Sequence, residues 1–476
     1  MEHIHSLKAV SIWGLRAADS VFTPKLGEAH AEFAAFKVGL PRIYVMQHGG
    51  WERPCAWNRE LVGYRYSLEH WIYDLFRGNP LNLVDDVSLA DYVYLPHCAT
   101  GIFMQMVAKE MLDADKRRAE EAGGKRRRGR RRHANGTHYL VYEGMLPEGP
   151  TRETDDTYLM ARLLSFWTVS SEYKACDARE SCRFLVVSCY GRHVWRRFAE
   201  FFGDKAVFIT HAGLSDWPRR QDPQMFWPTT GEVAKRSDGC RAACDAHCVL
   251  SPPANLPTDM VMPWVVAFRW TERSARFASR DLLAFYSGTE NSCSRRLLAE
   301  VLAPSFDETM EAITAPDGAS MRARGLRRRV LAFPSAFRLR QEDWSEIAFR
   351  SLLCIVPDGD SPNTGRLIEV IMHGCVPVIV TDRLEPPLHE FLEWSKFAFF
   401  VREESIRDLP SMLAWLGSPQ GLREVRAKHR LLHQAAHALD YNHNLVVSMM
   451  YFGLGDRARK LKSRAKARVQ AAAAAA

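Results

Sequence analysis

No apolar run in this chain approaches a membrane span. The longest, Val261–Phe268 and Leu445–Phe452, fall well short of the roughly 18 consecutive apolar residues that a spanning helix needs. Met1–Ser20 lacks a basic start followed by an unbroken apolar core, because Ser11, Gly14, Arg16 and Asp19 interrupt it. The expectation is a cytosolic protein, or a chain without the leader or anchor of its natural form. Zinc-finger spacing is also missing: Cys240, Cys244, His247 and Cys248 do not make a two-plus-two pattern, so loop disulfides or free thiols are expected there and no metal. The 11 cysteines are an odd number and are scattered, so at least one is free or bridges chains if the rest are oxidised. Cys354 and Cys375 lie in apolar runs and read as buried thiols.

What is present is ordinary for a globular protein. The chain has 476 residues, 47% hydrophobic and 25% charged, which excludes a wholly disordered or collagenous chain and gives room for two or three domains. The net charge of +8 is unevenly placed. Lys116–Arg132 holds ten basic residues against two acids, a surplus equal to the charge of the whole chain, and Arg457–Arg468 adds seven more without an acid. The body is therefore mildly acidic. No aromatic residue interleaves with the first run, so it offers no stacking platform for bases, and nucleic acid is not expected as a partner. Residues 113–138 read as a disordered surface insertion. One sequon, Asn135-Gly136-Thr137, would be usable in a secretory lumen.

Apolar β-type runs alternate with helical patterns, the order that builds parallel sheets flanked by helices. In the first half, strands are expected at Arg42–Met46, Asp91–Leu95, Phe184–Ser188 and Val207–Thr210, with helices at Asn58–Arg77 and His193–Phe202. In the second half, strands are expected at Leu282–Tyr286, Arg329–Phe333, Leu353–Val356, Val376–Thr381 and Phe397–Val401. Helices there are expected at Ser294–Val301, Gln341–Ser351, Thr364–Gly374, Leu388–Leu392 and from Ile406 to Ala438. The division expected is an N-terminal segment 1–40, a Rossmann-like lobe 41–268, a second such lobe 269–440 and a basic tail 441–476.

The stretch Cys354–Val380 carries the chemistry. A buried strand ends in a turn at Pro357–Asp360, and Ser361-Pro362 supplies an N-cap and a first helical position. Free amides at such an end hold phosphate oxygens. Arg366 sits in the first turns, where its fork suits a diphosphate, and Glu369 one turn on suits ribose hydroxyls. The same residues would also serve as a plain capped βαβ unit with a surface ion pair.

These motifs resemble the exostosin-like glycosyltransferases. The resemblance runs through Gly359-Asp360-Ser361-Pro362, Arg366-Leu367-Ile368-Glu369 and Gly374-Cys375-Val376-Pro377-Val378-Ile379, then Pro386-Pro387, Glu393–Phe397 and Ile406–Leu413. In the first half it thins to Pro41–Val45, Ala90–Val93, Pro96, Phe184–Ser188 and Val261–Pro263. It implies an α/β fold of two Rossmann-like lobes facing across a cleft (GT-B), a nucleotide-sugar donor, in all expectation a UDP-sugar, in the C-terminal lobe, and a glycan acceptor on the N-terminal lobe. It further implies inversion without a bound metal or permanent cofactor, association with related glycosyltransferases as homo- or hetero-oligomer, and a Golgi setting. By residue, it implies Glu369 at the donor ribose and Ser361, Asp360, Arg366, Gly288 and Arg295 near the phosphates. An inverting displacement needs a base, for which His193, His211, Asp216 and Asp91 are candidates. The family's Asp-His and His-Asp-Trp neighbours of the Phe184–Ser188 strand are replaced by Cys182-Arg183 and Cys189-Tyr190-Gly191. That departure keeps open an inert relative that binds glycans.

Overall fold

The structure, a computed structural model, describes residues 20–26, 40–47, 68–78, 82–97, 163–189, 196–211, 259–288, 292, 294–302, 330–333, 339, 341–358, 364–382 and 384–475. The basic insertion, the sequon and the Cys240–Cys248 cluster lie outside them.

The chain divides into two compact units. The N-terminal unit comprises Val38–Thr210, Leu256–Met260 and Gly453–Ala476; the C-terminal unit comprises Met1–Lys37, His211–Asn255 and Val261–Phe452. Each is built on a five-stranded sheet, so the expected α/β class holds for both.

In the N-terminal unit the strands β1 (Ile43–Val45), β2 (Tyr92–Tyr94), β3 (Arg183–Ser188), β4 (Ala206–Thr210) and β5 (Met260–Val261) lie side by side in chain order, with β1 to β4 paired in parallel. Helix α1 (Leu68–Gly78) buries Leu68, Ile72, Tyr73 and Phe76, one apolar stripe at helical spacing. Helix α2 (Ser171–Asp177) is capped by Ser170, whose hydroxyl accepts the Tyr173 amide. With α3 (Arg196–Phe202) these elements enclose an aromatic core. Tyr173 stacks on Phe184 at 4.5 Å, and Trp167, Phe198 and Phe202 are buried beside them. A disulfide, Cys176–Cys182, ties α2 to the start of β3.

The C-terminal unit has the strand order β10 (Phe399–Val401), β9 (Val376–Val380), β8 (Ser351–Pro357), β6 (Leu282–Ser287), β7 (Val330–Phe333), all parallel. Every residue of β8 and β9 is buried, as parallel strands covered on both faces require. Helices α4 (Gln341–Arg350) and α5 (Gly365–Met372) flank β8 in the chain, and α6 (Leu409–Leu416) and α7 (Pro419–Leu439) follow β10. Helix α8 (Asn444–Ala475) begins with this unit and continues, from Gly453, in the other.

Three expectations are corrected. Cys354 and Cys375 are not thiols but a disulfide: the register pairs Cys354 with Pro377, which brings the residue just before β9 to a Cα–Cα distance of 5.7 Å. Leu388–Leu392 is a turn rather than a helix, since Leu388 has φ of 52°, which no right-handed helix accommodates. The helix after β8 starts at Gly365, within a residue of the expected Thr364, but its N-cap is not the expected Ser361. Its N-cap is Thr364, extended at φ −105° and ψ 148°, so the helix cannot extend back through it.

The C-terminal basic run is helical and anchored in the N-terminal unit. Arg457 donates to the Asp259 carbonyl at 2.8 Å, and Lys462 reaches the Asp91 carboxylate at 2.7 Å. Asp91 also accepts the Arg42 amide at 2.9 Å and its guanidinium at 3.3 Å. Burial pushes its carboxyl up, but Lys462 and Arg42 together outweigh burial and hold it below the usual carboxylate value. A depressed folded pKa means stabilisation that is complete above the unfolded value of about 3.9 and lost as pH falls through the folded one. Asp91→Asn is thus expected to cost about 2 kcal/mol at neutral pH, the worth of a charged hydrogen bond, and less in acid. Melting curves from pH 2.5 upward check this: the gap between wild type and variant should narrow as pH falls below the unfolded carboxylate value of about 3.9.

Candidate functional site

The C-terminal sheet, read from its β7 edge, has the order second, first, third, fourth, fifth. In a doubly wound sheet of that order the chain leaves the first and third strands toward opposite faces, which opens a crevice outside their carboxyl ends. Here those strands are β6 and β8, ending at Ser287-Gly288 and Pro357-Asp358. The position of the site therefore follows from topology before any side chain is considered.

Arg295 spans this switch point. It lies at the start of the helical segment 294–302, and its Nε donates to the Asp358 carbonyl at 2.6 Å. Ser292 joins it: its hydroxyl accepts the Arg295 amide at 3.3 Å, as an N-cap does, and donates to the Asp358 carbonyl at 3.3 Å. A Cβ at Gly288 would meet the Tyr286 hydroxyl at 3.2 Å and Arg295 Nη1 at 3.5 Å. Gly288 and Arg295 are thus in contact, and the end of β6 is bridged to the end of β8 by a cation. An amide-rich helix start, an arginine and a bare backbone are what a phosphate group binds.

Arg366 and Glu369 come together on α5, one turn apart, with Nη1 to Oε2 at 3.1 Å. This is no ordinary surface pair, because the Glu369 side chain is only 4% exposed and the Arg366 side chain 29%. The Arg366 guanidinium also lies over the Trp344 ring, 4.0 Å from its centroid. At the head of the same helix the Thr364 hydroxyl is buried, caps nothing, and has no hydrogen-bond partner among the described residues. Thr364 and Trp344 were missed by reading the sequence. Thr364 stood inside the expected helix, and Trp344 stands on α4, outside the motif, with only its bulk to mark it.

The tail of α5 is built from buried backbone contacts. His373 donates through Nδ1 to the Glu369 carbonyl at 2.7 Å, and burial pushes its imidazole down to about 4, so it is neutral near pH 7. The helix ends in a Schellman pair: the Gly374 amide donates to Ile371 and the Cys375 amide to Val370, with Gly374 at φ 72°. Cys375, disulfide-bonded to Cys354 in β8, closes the same βαβ segment. Buried Arg280 donates to the carbonyls of Ala348, Ser351, Ser274 and His373, which fixes the ends of α4 and α5 and the one-turn helix Glu272–Ala275 together.

The remaining candidates fall elsewhere. Ser361, Asp360, His193 and Asp216 lie outside the described residues. His211 follows the carboxyl end of β4, fully buried, stacked on Trp264 at 4.6 Å, and burial pushes it down to about 3. Asp91 precedes β2, at the amino edge of its sheet, opposite to the edge where open α/β sheets hold ligands, and is committed to Arg42 and Lys462. Among the described residues, no group of three or more His, Cys, Asp or Glu suits a metal ion, and no helix is long and apolar enough to cross a membrane.

Comparison with known proteins agrees with the motif reading. Residues 255–416 match the Exostosin GT47 domain. A probable glucuronosyltransferase of Oryza sativa subsp. japonica is 36% identical over 83 residues, which is 17% of this chain and 19% of the relative. Probable beta-1,4-xylosyltransferase IRX10 of Arabidopsis thaliana is 31% identical over 77 residues, 16% of this chain and 19% of the relative. These matches cover about a fifth of the length of either relative. Among solved structures, Anabaena Alr3699/HepE in complex with UDP and glucose aligns over 90% of this chain and 100% of its own, with 11% identity and a TM-score of 0.29. Residues 255–416 are exostosin-like.

Proposed function

We propose that this exostosin-like chain is a glycosyltransferase whose C-terminal unit binds a UDP-sugar at the β6–β8 switch point. The observation that carries the reading is the Arg295 bridge over Gly288 to Asp358, at the carboxyl edge from which α5 brings Arg366 and Glu369. The diphosphate would take the two guanidinium groups and the amides at the helix starts, with the Thr364 hydroxyl as a further donor. Ser361 and Asp360, which lie between β8 and α5 in the sequence, are further residues proposed near the phosphates. Glu369, an acceptor-only group, would receive the ribose hydroxyls.

The reaction proposed is an inverting displacement. The acceptor hydroxyl attacks the anomeric carbon, its proton passes to a base, and the bond to the diphosphate breaks. Charge then grows on the leaving oxygen, and fixed cations aimed there are worth several kcal/mol in a water-poor site. The mechanism proposed is metal-independent, with the Arg295 and Arg366 guanidiniums taking up the charge on the leaving group. The acceptor would be a polysaccharide or glycoprotein glycan, engaged by the N-terminal unit, with related glycosyltransferases as partner subunits. The two disulfides in the described residues, Cys176–Cys182 and Cys354–Cys375, support an oxidising compartment such as the Golgi lumen.

Calorimetric titration of UDP tests the reading. Wild type is expected to show saturable binding, and Arg366→Ala to bind about 10- to 100-fold more weakly, the loss of one or two charged hydrogen bonds. No saturable heat with wild type would remove the proposal. Mass spectrometry of products from a panel of UDP-sugars would then identify the donor sugar.

A further inference from the structure

Arginine is a flexible side chain, and a phosphate-binding arginine gains affinity when its fork is held in place before the ligand arrives. Arg366 is held on two sides. Glu369 Oε2 lies 3.1 Å from Nη1 as an ion pair, and the Trp344 ring centroid lies 4.0 Å from Cζ. Trp344 is itself immobile. It is 3% exposed, meets the His373 edge at 5.1 Å and 87°, and packs near Phe285 at 5.8 Å. It is carried by α4, a different helix from the one that bears Arg366.

The choice of tryptophan is costly for packing alone. The indole Nε1–H is buried and has no hydrogen-bond partner among the described residues. A phenylalanine would fill most of the space without burying an unmet donor. What the indole offers in exchange is the strongest π face for a cation among the aromatic side chains.

We propose that Trp344 is a positioning residue of the donor site, holding the Arg366 guanidinium flat so that its exposed N–H donors face the diphosphate. The inference rests on the donor-site reading above and adds to it a residue outside the α5 segment. A guanidinium clamped between an indole and a carboxylate cannot rotate to follow solvent. Held in this way it would offer its donors in one plane, which suits a bidentate phosphate contact rather than a diffuse anion.

The test is a double-mutant cycle on UDP affinity, measured by calorimetry on the full chain. Trp344→Leu is expected to weaken UDP binding about tenfold in the wild-type background and by less than about twofold in the Arg366→Ala background, as removal of a cation–π support requires. Trp344→Phe keeps a π face and is expected to lose only about threefold. Melting curves confirm folding; if Trp344→Leu does not fold, the same cycle is run with Trp344→Phe, whose loss must vanish when Arg366 is alanine. Equal losses in both backgrounds, or no loss in either, would mark Trp344 as packing only and overturn the inference while leaving the donor site standing. Absence of UDP binding by wild type removes the donor-site reading, and this inference with it.

Discussion

Gly374→Ala is expected to destabilise the C-terminal unit by about 2–5 kcal/mol, enough to lower its melting temperature by about 10 °C. Two independent effects add. The backbone at Gly374 has φ of 72°, a conformation that costs an L-residue about 1–2 kcal/mol. A Cβ there would also sit 2.0 Å from the Ser274 carbonyl oxygen and 2.4 Å from Arg280 Nη2, so the backbone must move. Overpacking of that kind costs about 1–3 kcal/mol more, and here it strikes a carbonyl that Arg280 already engages. Thermal melting of the purified variant checks it. A transition within about 1 °C of wild type would show that the one-turn helix at Ser274 yields freely, and that Gly374 is not required by its surroundings. Gly421 makes a useful companion. A Cβ there would lie 2.3 Å from the Trp415 carbonyl, yet no positive φ adds to the clash, so its replacement is expected to cost less.

The same residue shows what the sequence made legible. In Gly374-Cys375-Val376-Pro377 the glycine marks a helix end, and the β-branched run after it marks a buried parallel strand; both are found where expected. Periodicity located β6, β8 and β9 to within a few residues because strands covered on both faces leave continuous apolar runs. The strand order, and with it the switch point that places the site, was not legible, since pairing is set by packing between distant segments. The N-cap was misplaced because Ser361-Pro362 has ideal composition for a helix start, whereas Thr364, three residues on, takes the extended conformation. The Cys354–Cys375 bridge escaped for a related reason: both residues look like core thiols until the β8–β9 register brings them together. Arg366 and Glu369 were legible as a pair, but not that Glu369 is buried or that Arg366 rests on a tryptophan from another helix.

Arg280 was the least legible of the residues around the candidate site, one of four arginines (Arg269, Arg273, Arg276, Arg280) with nothing in the sequence to single it out. Arg280→Met is expected to lower the stability of the C-terminal unit by about 4 kcal/mol. The guanidinium is 7% exposed and donates to four carbonyls at 2.7–3.1 Å, three of them at the carboxyl ends of separate helical segments. Those ends carry partial negative charge and unpaired acceptors, so one buried cation satisfies several at once. Burial pulls its pKa down to about 9, which still leaves it protonated at neutral pH. Methionine keeps the apolar stem and removes every donor, and four buried carbonyls lose a partner. The opposing effect is real: taking a guanidinium out of water is costly, and a buried charge replaced by an apolar group is sometimes neutral. The geometry decides between them here, because methionine supplies no partner for acceptors that remain buried. Lysine should recover less than half of the loss, since three donors on one nitrogen cannot span carbonyls on both sides of a planar fork. Urea denaturation of the two variants against wild type reads the difference. A Met variant as stable as wild type would mean that the carbonyls find other partners, and that Arg280 merely fills space between α4 and α5.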